Sequence, residues 1–215
     1  ADTYPVIGKF ASLATLHLDS ITALNDATLP ALAPLTKLTA LGLGRTSVTG
    51  SGFTALRDLT ELQILHVAEE APISAEGLAT IVATFPKLEE LSLGKGALLN
   101  AADFRPLTGL KSLKTLRANL PALDDAALAE IAHITSLETF YTQNTAVTPQ
   151  GVVALKPLKF LTKLGVPLCR NIDDSAIPVL KDFKGLKELD IRSTAITEAG
   201  IVELRKALPS CNLIR

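Results

Sequence analysis

Catalysis or metal binding needs nucleophiles, bases or ligands at spacings that bring them together. The chain has three histidines, His17, His66 and His133, and two cysteines, Cys169 and Cys211. His17 and His66 fall at the same place in a recurring strand pattern, one strand apart from being neighbours. A metal held by both, with Asp19 helping, is the one ligand set this suggests. Two strand spacings put them about 10 Å apart, while each ring nitrogen must come within about 2 Å of a zinc ion. That span strains the geometry, and no bound metal is expected. The same spacing separates Cys169 from Cys211 by about 10 Å, beyond the Cα limit of about 7 Å for a disulfide. Buried free thiols are the expectation for both. Gly42-x-Gly44 lacks the rest of a phosphate-binding fingerprint. The pairs Asp124-Asp125 and Asp173-Asp174 stand where helices start, and capping accounts for them. Neither cysteine aligns with a histidine that could serve as its base. The expectation is therefore no enzyme and no cofactor.

Binding chemistry is better represented. Arg117, Asn119, Tyr141 and Gln143 fall at neighbouring outward positions of successive strands, and Arg and Tyr are the types that anchor protein interfaces. His66 and Glu90 stand at the edge of this block. These six residues form the candidate partner-binding site. Beside them Gly42, Gly44, Ala68 and Gly94 suggest a shallow floor. His133 is expected on the solvated side of a helix. Seven basic residues between Lys156 and Lys187 (Lys156, Lys159, Lys163, Arg170, Lys181, Lys184, Lys187) face only Asp173, Asp174 and Asp182. An acidic partner would be steered to such a segment, but a solvated edge is the default reading, since surface charge is ordinarily scattered.

What must position these groups is a repeat. The pattern L-x-x-L-x-L occurs as Leu13-Leu16-Leu18, Leu38-Leu41-Leu43, Leu62-Leu65-Val67 and Leu88-Leu91-Leu93. It continues as Leu113-Leu116-Ala118, Leu137-Phe140-Thr142, Leu161-Leu164-Val166 and Leu186-Leu189-Ile191. Successive copies start 24 to 26 residues apart, and a ninth begins at Cys211. Alternation of this kind makes a short strand with one buried face. An apolar anchor follows each strand: Leu24, Val48, Ile73, Leu99, Leu123, Val147, Ile172 and Ile196. The next residue is always Asn, Thr, Ser or Asp (Asn25, Thr49, Ser74, Asn100, Asp124, Thr148, Asp173, Thr197), the types that cap helix starts. Pro149 suits a first helical position. Asp26, Asp125, Asp174 and Glu198 occupy that position too and complement a helix dipole. Apolar residues then recur at helical spacing, as in Leu29-Leu32-Leu35 and Leu128-Ile131-Ile134. Neither half can bury its face alone, so the copies must stack and share one core.

This pattern resembles the leucine-rich repeats. Ile196-Thr197-Glu198-Ala199-Gly200-Ile201 is similar to the ribonuclease-inhibitor-like and cysteine-containing subclasses, and the stretch from Leu204 to Cys211 resembles the ends of many bacterial members. The ladder position departs from a continuous Asn or Cys series: it runs Ile21, Thr46, Glu70, Gly96, Pro121, Thr145, Cys169, Thr194. The fold implied is an α/β right-handed leucine-rich-repeat solenoid, with eight to nine parallel strands on the concave face and helices on the convex face. A single domain over 1–215 is expected: a cap or partial repeat at 1–12, eight repeats over 13–210 and a terminal strand at 211–215. The resemblance also implies a protein-binding scaffold. A structural or self-associating module that pairs through its terminal strands is the alternative.

Composition agrees. Lys+Arg number 21 against 22 Asp+Glu, a net charge of −1, and aromatics make up 4%. A basic field and stacking platforms are both missing, so no nucleic acid is expected as partner. At 47% hydrophobic the chain is too apolar for disorder. No apolar run reaches about 18 residues, so no membrane span is expected. A protein partner and a monomeric state are the remaining expectations. Met does not occur. A start at Ala1-Asp2 suits removal of a secretory signal, which points to a secreted or periplasmic location and leaves the compartment open.

Overall fold

The structure, a computed structural model, describes residues 4–215. Residues 1–3 of the expected cap lie outside the described residues. A short helix, α1 (Tyr4–Ile7), precedes nine strands that take up the leucine motif. These are β1 (Thr15–His17), β2 (Ala40–Gly42), β3 (Ile64–Val67), β4 (Glu90–Leu93), β5 (Thr115–Ala118), β6 (Thr139–Tyr141), β7 (Lys163–Gly165), β8 (Glu188–Asp190) and β9 (Asn212–Ile214). The chain forms two compact units, one of residues up to 99 with 109–113, the other of 100–108 with 114–215.

In the first unit β1 to β4 pair in chain order, all parallel and without slippage. Thr15 faces Ala40, then Ile64, then Glu90; His17 faces Gly42, then His66, then Ser92. In the second unit β5 to β9 do the same, with Arg117, Tyr141, Gly165, Asp190 and Ile214 forming one row. Each unit is an α/β leucine-rich-repeat array. The period of the leucines fixes this register, because a one-residue slip would turn every leucine to solvent. Leu41, Leu65, Leu91, Leu116, Phe140, Leu164 and Leu189 are all buried, as are the anchors from Leu24 to Ile172. Phe53 and Phe85 meet edge to face at 5.7 Å in the first unit's core.

The turn-back after each strand is not uniformly α-helical, and here the sequence expectation needs correction. Regular helices form at α2 (Ala75–Thr84), α3 (Asp125–Ile131), α4 (Pro149–Ala154), α5 (Ile177–Leu180) and α6 (Glu198–Ala207). Leu29–Leu32, Ser51–Leu56 and Ala101–Gly109 are 3-10 helix instead. Leucines three apart fit the three-residue turn of that helix. Pro30 and Pro106 lie inside two of these segments, and Gly50, at φ +106°, opens the third. His133 lies just past α3, exposed.

Capping follows the sequence at most starts. Ser74, Asp124, Thr148, Asp173 and Thr197 accept from backbone N–H groups of the following turn. Thr49 makes no such cap. Its repeat is held from the one before: the Asp26 carboxylate accepts from the N–H of Thr49, Gly50 and Gly52 and from the Thr49 hydroxyl. Asp125 likewise accepts from the N–H and hydroxyl of Thr148, and Asp174 from those of Thr197. These acids, expected only to complement a helix dipole, are cross-repeat staples. Partial burial pushes the Asp26 carboxyl up, but its four hydrogen bonds outweigh that and leave it below the usual range. A Cβ at Gly151 would meet Asp125 Oδ1 at 2.3 Å, and one at Gly200 would meet Asp174 Oδ1 at 2.5 Å. Glycine three residues after the threonine is what lets the carboxylate sit there.

Candidate functional site

The side chains between the motif leucines point away from the core. In the second unit they build one connected cluster. Tyr141, on β6, lies over Gly165 of β7: a Cβ there would stand 2.1 Å from Cδ2 and 2.3 Å from Cε2 of the ring. The Tyr141 hydroxyl reaches past that strand and donates to Asp190 Oδ2 on β8, at 3.1 Å. Asp190 is buried, its side chain 4% exposed, and Arg192 grips it with two parallel bonds, Nε to Oδ1 at 2.9 Å and Nη2 to Oδ2 at 2.7 Å. The Arg192 backbone N–H adds a third, at 3.2 Å. On the other side, the Arg117 guanidinium carbon stands 5.9 Å from the centre of the Tyr141 ring, within cation–π range.

This arrangement fixes the charges. Burial pushes the Asp190 carboxyl up, but hydrogen bonds from Arg192 and Tyr141 prevail and hold it below the usual carboxylate range. Burial, then the Asp190 charge, raises the Tyr141 phenol, which stays neutral and a donor. The Arg192 guanidinium is held more firmly protonated by its bond to Asp190. A buried carboxylate with a bidentate arginine is satisfied, and the pair's outer edge stays available, since the Arg192 side chain is 53% exposed. Asn119, on the loop after β5, is half-buried, and its Oδ1 is buried with no hydrogen-bond partner among the described residues. Such an acceptor costs free energy until a donor reaches it. Gln143 is exposed.

His66 and Glu90 belong to the first unit. His66 Nε2 lies 3.1 Å from Glu90 Oε1, a contact between β3 and β4. They are a local pair of the first unit, whereas Arg117, Asn119, Tyr141 and Gln143 belong to the second. The expected shallow floor is differently used. A Cβ at Gly42 would meet His17 Nδ1 at 2.4 Å, so the histidine ring covers that glycine. Asp19 Oδ1 accepts from the Gly44 N–H at 2.6 Å, and its other oxygen is 3.6 Å from His17 Nδ1. At Gly94 the neighbouring turn approaches instead, with Glu69 N only 1.9 Å from a Cβ. His17 and His66 thus each face a carboxylate of their own. Both cysteines are free thiols; Cys169 is buried with its sulfur 3.2 Å from the Thr145 hydroxyl, whereas Cys211, just before the terminal strand, is only half-buried and departs from the expected burial.

Residue types alone did not single out Gly165, Asp190 and Arg192. The signal was present in the row Arg117-Tyr141-Gly165-Asp190: a ring followed one repeat later by glycine, then by an acceptor.

No family model matches the chain, and no curated protein matches it in sequence. Among solved structures it is similar to an internalin from Listeria monocytogenes. The identity is 18%, over 97% of this chain and 75% of that one, with a TM-score of 0.49.

Proposed function

We propose that this protein is a recognition scaffold that binds a protein partner on the concave, outward face of its strands. The observation that carries the reading is the Arg117–Tyr141–Asp190–Arg192 cluster, aromatic and cationic groups locked in place before any partner arrives. A hydroxyl tied to a buried carboxylate and a ring resting on a glycine lose little freedom on binding, so little affinity is spent on ordering. Asn119 and Gln143 flank the cluster as hydrogen-bonding positions. His66 and Glu90 form a second, smaller contact point in the first unit. The reading is one of binding without catalysis or cofactor. The ten-residue helices α2 and α6 support the ribonuclease-inhibitor-like subtype in the repeats that carry them.

The test is affinity capture with wild type and with Arg117→Glu/Tyr141→Ala, after circular dichroism has shown the variant folded. Captured proteins are identified by mass spectrometry, then produced and titrated directly. A partner that binds wild type and loses at least about tenfold in the variant, about 1.4 kcal/mol, supports the concave site. Equal affinity for both moves recognition off this face.

A further inference from the structure

We propose that the loop edge between β7 and β8 is a second binding site, which takes an acidic peptide segment bearing an apolar side chain. The turn from α4 to β7 and the turn from α5 to β8 enclose a cleft of about 490 Å³ in the second unit. Its floor is apolar: Leu158, Leu161 and Phe183, exposed by 2%, 2% and 8%. Lys156, Lys159 and Lys184 surround that floor, against one carboxylate, Asp182.

The single acid does not neutralise the site. Asp182 pairs with Lys156 at 3.1 Å, both side chains at least half exposed. An ion pair of that kind is worth little and yields to a competing carboxylate. Lys184 donates to the Ala207 carbonyl at 3.4 Å, and Lys159 enters no ion pair among the described residues. Phe160, which follows Lys159 in the chain, is 67% exposed. Exposed aromatic and cationic groups around a recessed apolar floor match a chain of alternating acidic and apolar residues: carboxylates meet the lysines and an apolar side chain enters the cleft. A membrane surface fits less well, because a bilayer would reach Phe160 and not the recessed leucines. The edge lies on the turns, apart from the outward strand face, and so extends recognition beyond the cluster at Tyr141.

The first unit contains a natural control. A cleft of about 540 Å³ occupies the same place in its repeats, with Leu59, Leu62 and Phe85 at the floor and Arg57 and Lys87 beside it. There Lys87 is engaged by Glu61 at 3.2 Å.

The experiment is fluorescence anisotropy with the full chain and a labelled synthetic peptide alternating Asp/Glu with Leu/Phe. Controls are the same peptide with its apolar residues replaced by serine, and one with its acids replaced by lysine. Binding of the first at least about tenfold tighter than either control, weakened by salt, is expected. Lys159→Glu/Lys184→Glu should lose about tenfold or more, and the charge-matched Arg57→Glu/Lys87→Glu should not. Equal losses in the two variants would reduce the effect to net charge and overturn the proposal. So would equal binding of the serine peptide, or absence of binding. Co-sedimentation with phosphatidylserine vesicles, lost on Phe160→Ser, with no peptide preference would replace it with a membrane-surface reading.

Discussion

Replacing Gly165 by alanine tests how the cluster is built. The new Cβ would stand 2.1 Å from Tyr141 Cδ2, where ordinary contact begins near 3.4 Å. The ring must therefore retreat by more than 1 Å. The Tyr141 hydroxyl bond to Asp190, already 3.1 Å, does not survive such a displacement. A hydrogen bond to a charged acceptor contributes about 1.5–3 kcal/mol. Alanine in a strand returns roughly 0.5–1 kcal/mol relative to glycine. The expected net cost is about 1–2 kcal/mol in wild type. In a Tyr141→Ala background the clash and the bond are both gone, and Gly165→Ala becomes neutral or stabilising. The coupling energy of the cycle is then about 1.5–3 kcal/mol. Urea unfolding followed by far-ultraviolet circular dichroism measures it, provided the four proteins share one slope. Additive effects, within about 0.5 kcal/mol, would refute the idea that glycine is there to seat the ring. Gly42→Ala is the companion: its target, His17, has a side chain 56% exposed that can swing away, so the cost should stay below about 1 kcal/mol.

Other outcomes follow from the staples, the charges and the backbone. Asp26→Ala strands three N–H groups and a hydroxyl of the next repeat; it should cost about 2–3 kcal/mol in urea unfolding and more than Asp125→Ala, which strands one of each. Tyr141 ionises above the usual phenol range, so its contribution is fully present below about pH 10 and is lost as pH rises through the raised native value. Absorbance titration of wild type minus Tyr141→Phe should show that late step, and a step at the ordinary value would contradict the bond to Asp190. Asp26 and Asp190 are both held low. Their contributions are complete above the ordinary carboxylate value, about 4, and disappear as pH falls through the lowered ones. Asp190→Asn should flatten part of that acid limb of the stability curve. Leu168 holds a left-handed backbone at φ +62° and is 39% exposed. Leu168→Gly should therefore raise stability by about 1 kcal/mol, read as a higher denaturation midpoint.

The strand register was legible to the residue because leucine spacing and strand period are the same physical constraint. The outward rows Thr15-Ala40-Ile64-Glu90 in the first unit and Thr115-Thr139-Lys163-Glu188 in the second, read from the leucines, are rows of paired residues. The helical half was less legible. Capping types marked where each segment starts, but α-helix and 3-10 helix differ by less than one residue per turn. Only Pro30, Gly50 and Pro106 hinted at which would form. The staples were hidden for another reason. Asp26, Asp125 and Asp174 satisfy the local rule for helix starts so well that their longer reach, 23 residues onward to a threonine, had no separate signature. Among the described residues, six non-glycine residues in the left-handed region, Ser20, Arg45 and Asn144 among them, had no compositional mark either. The turns after β1, β2, β3, β6, β7 and β8 impose that conformation, whatever residue occupies it.

At the candidate site the types were right and the grouping was incomplete, because the decisive contact spans 49 residues and skips a strand. Tyr141 and Arg117 stand out as interface types wherever they occur. Asp190 reads as one more acid on a charged surface until the ring is traced across Gly165 toward it. The two glycines that follow a ring in the outward rows, Gly42 after His17 and Gly165 after Tyr141, both lie beneath that ring. His66 is followed by Ser92 and pairs with Glu90 instead. Glycine in such a row is thus a statement about its neighbour: a side chain one repeat earlier lies flat across the strand and is aimed two strands on. By that rule the order Tyr141-Gly165 alone points at Asp190, and His17-Gly42 would point at His66. The second case stops short. Asp19 lies beside the His17 ring, its Oδ2 3.6 Å from Nδ1. A carboxylate stands close by on the same strand end. Tyr141 has its hydroxyl further out and the neutral Gln143 where His17 has Asp19, so it carries through to β8.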